Sequence, residues 1–274
     1  MSARTLITGC QRVALLGCIA TLMSSCSTSE SKTKTAFPAT LNARPGEHYY
    51  STKFALTESP VSEGGAWVGG NSGGTGLRAG HIWNGWRLWG DVQTGHGLAY
   101  GVDEPTEFGD PTAILAGTWG PNQTVTAIVR VGKVQTGSCC HEVELRLRTT
   151  ITNKSITGYE AYCSVMPDNQ YCHIARWNGP NGSYWNFETQ PVNTYLVDGD
   201  VITATATGSN PTVITLFRNQ KKILEAEDSG TAGGGFGAYG PWTSGNPGIG
   251  FYDNHDRNWM DFGLAAFSAT DRIP

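Results

Sequence analysis

His141-Glu-Val-Glu-Leu-Arg-Leu-Arg148, Gly158-Tyr-Glu-Ala-Tyr-Cys-Ser-Val165 and Gln170-Tyr-Cys-His-Ile-Ala-Arg-Trp177 are three runs in which apolar and polar residues alternate. A period of two is the mark of a half-buried strand, and the Pro, Asp, Asn and Gly between the runs mark tight turns, so the segment reads as an antiparallel meander. A slip of one residue would send every side chain to the opposite face, so the three strands constrain one another. Centring the second hairpin on Pro167-Asp168 sets Cys163 opposite Cys172 and Tyr162 opposite His173. Letting the turn at Ile151–Ile156 fix the first hairpin sets Arg146 opposite Tyr162. One face then carries Glu144, Arg146, Glu160, Tyr162, Tyr171, His173 and Trp177. The other carries Val143, Leu145, Leu147, Ala161, Cys163, Val165, Cys172 and Ile174. Arg176 breaks the apolar side, a departure read as strand-end fraying. The polar, aromatic face is the candidate working surface.

Working outward, 36 glycines and nine tryptophans in 274 residues, with few charged residues, point to many short strands and tight turns. Tyr49–Leu56, Gly97–Gly101, Ala113–Trp119 and Gln123–Val131 read as strands before the meander. Asp200–Thr207, Thr212–Asn219, Lys221–Ala226, Pro247–Tyr252 and Met260–Ser268 follow it, with Asn219-Gln220 as a tight hairpin. The first and last of these strands are expected to lie side by side. No segment after residue 26 has a helical apolar period. The fold class is therefore all-β, an antiparallel two-sheet β-sandwich over residues 46–274.

Residues 1–26 read as a leader rather than as part of the fold. Arg4 and Arg12 precede an apolar run, Val13–Met23, too short to span a bilayer and suited to a signal peptide. It ends in Leu22-Met-Ser-Ser-Cys26, a pattern resembling a bacterial lipobox with Cys26 as the lipidated residue. Residues 27–45 are a Ser-, Thr- and Lys-rich tether. The expectation is an exported protein anchored in the envelope, in the outer membrane, by lipid alone. Removing Arg4 and Arg12 from the 19 basic residues leaves 17 against 23 acidic ones, a net −6. That balance argues against nucleic acid as a partner. Cys139, Cys140, Cys163 and Cys172 remain in the exported domain, an even number suited to disulfides; three pairings are possible, and Cys163–Cys172 fits the hairpin register.

Four further stretches carry a likeness: Pro60-Val-Ser-Glu-Gly-Gly-Ala-Trp67, Ala116-Gly-Thr-Trp-Gly-Pro-Asn-Gln123, Ile174-Ala-Arg-Trp-Asn-Gly-Pro180 and Gly245-Asn-Pro-Gly-Ile-Gly-Phe-Tyr252. With the closing Trp259-Met-Asp-Phe-Gly-Leu-Ala-Ala-Phe267, the chain resembles exported bacterial proteins with a concanavalin A-like, laminin-G-like jelly roll. That superfamily implies lectins, carbohydrate-binding modules, glucanases and polysaccharide lyases, and the fold does not choose among them.

The residues offer several chemistries. For binding, Trp177, Tyr184 and Trp185 flank an Asn/Gly-rich turn beside the polar face, where indole and phenol rings could stack on pyranose C–H faces. Glu144, Arg146, Tyr162, Tyr171 and His173 would then bond the hydroxyls. Trp83, Trp86 and Trp89 offer a second platform. For catalysis, Arg146, His173 and Tyr162 could neutralise a uronate, take its C5 proton and protonate the leaving oxygen, as in a polysaccharide lyase; Glu144-Leu-Arg146 faintly resembles the strand of jelly-roll alginate lyases. Glu142 and Glu144 resemble part of the acidic signature of jelly-roll glucanases, but its third carboxylate is Leu147 here. Asp253-Asn-His-Asp256 and Asp198-Gly-Asp200 are oxygen-rich loops that could hold a structural Ca²⁺. The leading expectation is glycan or polysaccharide binding. A lyase or glycoside hydrolase on the same face is the alternative, and a structural or adhesive envelope protein the third.

Overall fold

The computed structural model describes residues 43–69, 82–83, 86–87, 91–102, 110–133, 140–152, 155–180, 184–187, 191–230, 240–253 and 260–272. The expected leader, nearly all of the tether, Trp89 and Asp256 lie outside the described residues. The alternating runs form strands in chain order: β1 (Tyr49–Thr52), β2 (Trp67–Gly69), β3 (Ile82–Trp83), β4 (Trp86–Arg87), β5 (Asp91–Gly95), β6 (Leu98–Val102), β7 (Thr112–Leu115) and β8 (Gln123–Val131). The meander supplies β9 (His141–Ile151), β10 (Ser155–Ser164), β11 (Cys172–Pro180) and β12 (Tyr184–Asn186). β13 (Val201–Thr207), β14 (Thr212–Arg218), β15 (Lys221–Asp228), β16 (Asn246–Asp253) and β17 (Phe262–Thr270) complete the chain.

These strands make two large antiparallel sheets. One runs β15-β14-β13-β8-β17-β6-β5, with β1 also paired to β17; the other runs β12-β11-β10-β9-β16-β7-β2. The molecule is the expected jelly-roll sandwich, and the terminal strands do pair, with Tyr49 opposite Thr270. The alternating residues Val125, Ala127, Val129, Ile202 and Ala204 of the first sheet face Val143, Leu145, Leu147, Ala161 and Ile174 of the second in one buried core. Its stability comes mainly from removing these side chains from water, at about 25 cal/mol per Å² of apolar surface. The ends of the domain are clasped by Asp271. Its carboxylate accepts the backbone N–H of Gly46, His48 and Gly120 and the Nδ1 of His48, whose ring stacks on Trp119 at 4.8 Å.

The meander keeps the expected faces, with two corrections. Cys163 pairs with Cys172 and Tyr162 with His173, as the turn at Pro167-Asp168 dictates. On the other side, Arg146 stands opposite Glu160, and Tyr162 opposite Glu144. The offset is two residues, so no face is exchanged. One step comes from the hairpin, which pairs Ile151 with Ile156, and the other from a bulge in which Arg148 and Thr149 together face Gly158. Arg148 has a φ of 50°, and a Cβ on Gly158 would lie 2.7 Å from the Thr149 Cα, so the bulge needs glycine there. The bulge turns Arg148 off the polar face. Its guanidinium donates to the carbonyls of Pro121, Gly208 and Trp242 and to Thr212, tying separate loops together.

Arg176 is no strand-end exception either. It is wholly buried between the sheets, 2.6 Å from Asp228, whose other oxygen accepts the Tyr159 hydroxyl. A charge inside the core is tolerated because it is paired and hydrogen-bonded.

Candidate functional site

The outer face of the seven-stranded sheet is built around β9, which places Glu142, Glu144 and Arg146 in a row. On one side β16 sets Tyr252 opposite Glu142, Gly250 opposite Glu144 and Gly248 opposite Arg146. On the other, β10 brings Glu160 and Tyr162, then β11 brings His173 beside Tyr162 and Trp177 beside Gly158. β12 closes the row with Asn186 and Tyr184, the latter opposite Trp177.

The floor of this face is a buried ion cluster. Arg146 lies 2.5 Å from Glu144, 2.8 Å from Glu160 and 2.6 Å from Asp110. Trp177 donates its indole N–H to Glu160, and its ring lies 5.0 Å from the guanidinium carbon of Arg146. Arg146 is 0 % exposed and Glu144 1 %. Gly250 makes room for this arrangement. A Cβ on Gly250 would fall 2.1 Å from the Glu144 carboxylate and 2.9 Å from Arg146 Nε.

Above the floor is a half-buried rim. Tyr171 donates its hydroxyl to Glu142, and Tyr162 donates to Asn186 at 3.1 Å. The rings of Tyr162, Tyr171 and His173 form a triangle with centroid separations of 5.3, 6.0 and 6.2 Å. Tyr184, its ring tilted 37° from Trp177 at a centroid separation of 5.5 Å, is 39 % exposed.

Asp110, Glu142, Glu144 and Glu160 thus converge near one guanidinium. Burial pushes Glu142 up to about 8, against the pull of the Tyr171 hydroxyl and with help from Glu160 and Asp110. Burial likewise pushes Glu160 up to about 7, opposed by Arg146. Glu144 and Asp110 are raised by burial too, although Arg146 opposes it in both. Burial also disfavours charge on Arg146, but the carboxylates of Glu144, Glu160 and Asp110 more than offset that and keep it protonated. Burial raises the Tyr162 hydroxyl, and the carboxylates of Glu142 and Glu160 add to the rise.

The structure therefore brings Glu144, Arg146, Tyr162, Tyr171, His173, Trp177 and Tyr184 onto one face. Two of the expected roles change. Trp177 is 6 % exposed and packs with Ile114, Ile151 and Ile156, so it is part of the floor rather than a stacking platform. Trp185 stands opposite Arg176 and so belongs to the other face of the sheet. Asp110, Asn186, Tyr252 and Gly250 were not singled out from sequence; the alternating Gly248-Ile-Gly250 was the available signal that bulky side chains lie across that strand.

No family model matches the chain, and no curated protein matches it either. Solved structures are similar in their sandwich. One is the CBM2 module of the evolved Dit of Lactobacillus casei BL23 phage J-1, with 14% identity and a TM-score of 0.49 over 82% of this chain and 96% of that one. Another is the Bacillus subtilis carbohydrate-binding module CBM66, with 13% identity and a TM-score of 0.39 over 63% and 81%. A third is the metal-free carbohydrate recognition domain of Emp46p, with 10% identity and a TM-score of 0.42 over 69% and 89%.

The carboxylates of the Asp198-Gly-Asp200 loop accept protein donors. Asp198 binds Arg130 and the Val131 N–H, while Asp200 binds Arg218, Asn219 and the Val197 N–H. Those oxygens are already committed to protein donors. Asp256 and the side chain of Asp253 lie outside the described residues, as do the side chains of Trp83, Trp86 and Trp89. Among the described residues, no group of three or more His, Cys, Asp or Glu is placed to hold a metal. Cys163 and Cys172 form a disulfide directly beside the Tyr162–His173 pair.

Proposed function

We propose that this protein binds carbohydrate on the outer face of its seven-stranded sheet. The observation that carries the reading is the layering of that face. A floor of Arg146 and carboxylates lies under a half-buried rim of Glu142, Tyr171, His173 and Asn186, with Tyr184 exposed beside it. A strand face turned away from the sandwich core needs no charge cluster to fold. Directional acceptors beside flat rings are what a pyranose uses, hydroxyls on the first and C–H faces on the second. The test is a glycan array probed with the full chain, followed by Tyr184→Ala and His173→Ala. The expected result is binding to at least one glycan class, weakened in both variants. No binding to any glycan, or binding that both variants retain in full, would count against this face.

One observation favours a second reading, hydrolysis. The Glu142 carboxyl, pushed up to about 8, stays mostly protonated at neutral pH, as a general acid must be, and Glu160, pushed up to about 7, is half protonated there. Release of reducing ends that Glu160→Gln abolishes would move the protein from binder to glycosidase. The lyase reading has less support, because the Arg146 guanidinium that would meet a uronate already donates to three carboxylates.

The same proposal places the protein outside the cytoplasm, held to the envelope through a lipid on Cys26. The Cys163–Cys172 disulfide supports an oxidising compartment. Labelled palmitate incorporated into the native chain but not into Cys26→Ala is the outcome that agrees with it.

A further inference from the structure

The rim and the floor differ in how their charge is balanced. Glu144, Glu160 and Asp110 each reach the guanidinium of Arg146. Glu142, two residues before Glu144 on the same face, has among the described residues the Tyr171 hydroxyl alone as its hydrogen-bond partner. Aromatic rings surround it: Tyr171 bonds it, Tyr252 stands opposite it across β16, and Tyr162 and His173 complete the triangle with Tyr171. A carboxylate among aromatic faces is a receptor for an ammonium group, which both the anion and the ring quadrupoles attract. The floor is also one acceptor short. Arg146, wholly buried, keeps its Nε–H without a partner, beside the space that Gly250 leaves. A ligand that completes this face supplies positive charge at the rim together with oxygen.

Resting on the carbohydrate reading above, we infer that the face selects amino sugars carrying a free ammonium group, with Glu142 as the residue that makes the selection. Among the described residues, four carboxyl groups lie around one arginine, and His173 is the other basic group of the rim. A uronate would add a negative charge to this surface, and an N-acetylated sugar would leave Glu142 with its hydroxyl partner alone. Burial raises the Glu142 carboxyl, so binding of an ammonium must release the proton it holds.

The experiment is calorimetric titration of the full chain with a β-1,4-linked glucosamine tetramer, its N-acetylated counterpart, cellotetraose and a tetra-uronate. One charge-assisted hydrogen bond in a half-buried site corresponds to a preference of about tenfold or more for the free amine over the N-acetyl form. The uronate should be the weakest of the four, and Glu142→Gln should shrink the amine preference to within about twofold. Equal affinities, a preference for the uronate, or an amine preference that survives Glu142→Gln would each overturn the inference while leaving carbohydrate binding in place. Absence of binding to all four, joined to a silent glycan array, would overturn both. If Glu142→Gln does not fold, the native chain decides. The amine preference should fall when salt is raised from about 0.05 to about 0.5 M, and a preference indifferent to salt would rule out the charge-based selection.

Discussion

Gly250 faces Glu144 across the β16–β9 ladder so closely that a single methyl group on Gly250 would occupy the space of the Glu144 carboxylate, 2.1 Å away. The ion cluster therefore depends on a neighbouring strand without a side chain. Gly250→Ala forces Glu144 off Arg146 or pushes β16 away from β9, and overpacking of this kind costs about 1–3 kcal/mol. Gly199→Ala is the control, because that residue has a φ of 84° but nothing within 4 Å of its added Cβ. Its cost should be backbone strain alone, about 1 kcal/mol, with no loss of glycan binding. Denaturant melts and the glycan array on both variants check this. Equal binding losses would show that Gly250 matters only for folding.

Among the described residues, Arg146 is the guanidinium that balances the floor. Replacing it with Met leaves Asp110, Glu144 and Glu160 buried without a cation, and breaking a buried pair by removing one partner costs about 3–5 kcal/mol. The penalty should be felt through the carboxylates rather than through lost packing. Arg146→Met combined with Glu144→Gln and Glu160→Gln is then expected to recover most of the loss. A triple variant as unstable as the single one would mean that the packing of Arg146 against Trp177 holds the site.

How much of this was legible in the sequence follows from what each signal reports. The period of two over 141–177 sorted the faces of three strands, because one sheet face must reach the core and a slip would bury charge. It could not report the bulge at Arg148–Thr149, since a bulge changes the count on one strand without changing the alternation on either side of it. That bulge, added to a hairpin pairing one residue from the expected one, set Arg146 two places from its true partner, yet on the right face. Alternation also treats every residue on the non-core face as exposed, which misplaced Trp177. Both faces of β9 and β10 are buried, and the indole lies in the floor. Arg176 misled for the opposite reason. Its partner Asp228 comes 52 residues later, on β15 of the other sheet, and no local pattern encodes such a pairing. Asp110 escaped for the same cause, 36 residues before the arginine it binds.

The Cys163–Cys172 bridge joins directly paired residues of β10 and β11, one step from Tyr162 and His173. It closes a loop with a sequence separation of nine, for which restriction of the unfolded chain gives about 2–3 kcal/mol. Reduction, or Cys163→Ala with Cys172→Ala, should lower the melting temperature by about 4–10 °C for a domain of this size. It should also weaken glycan binding, because the bridge holds the two rings in register. Binding unaffected by reduction would assign the disulfide to stability alone.

The carboxyls of the site and of the terminal clasp push the pH dependence of stability in opposite directions. Glu142 titrates near 8 and Glu160 near 7 in the folded chain because they are buried, against 4.5 when unfolded. Between those limits the native state holds protons that the unfolded chain releases, so these residues make stability fall as pH rises from about 5 to about 8. Burial alone would raise Asp271 as well, but the N–H groups of Gly120, Gly46 and His48 outweigh it and hold the carboxyl below its ordinary value of 3.8. What Asp271 contributes is therefore present above that value and lost as pH falls through its folded pKa. Together they place the maximum of stability in the weakly acidic range, between these two limbs. Glu142→Gln keeps the hydrogen bond to Tyr171 and stays neutral at every pH. It should raise the melting temperature at pH 8 by about 2–4 °C and leave it nearly unchanged at pH 5. Asp271→Asn should flatten the acid limb instead. A native chain that melts higher at pH 8 than at pH 5 would show that the face is not closed enough to hold its protons, and with that the buried floor under the rim would have to be redrawn.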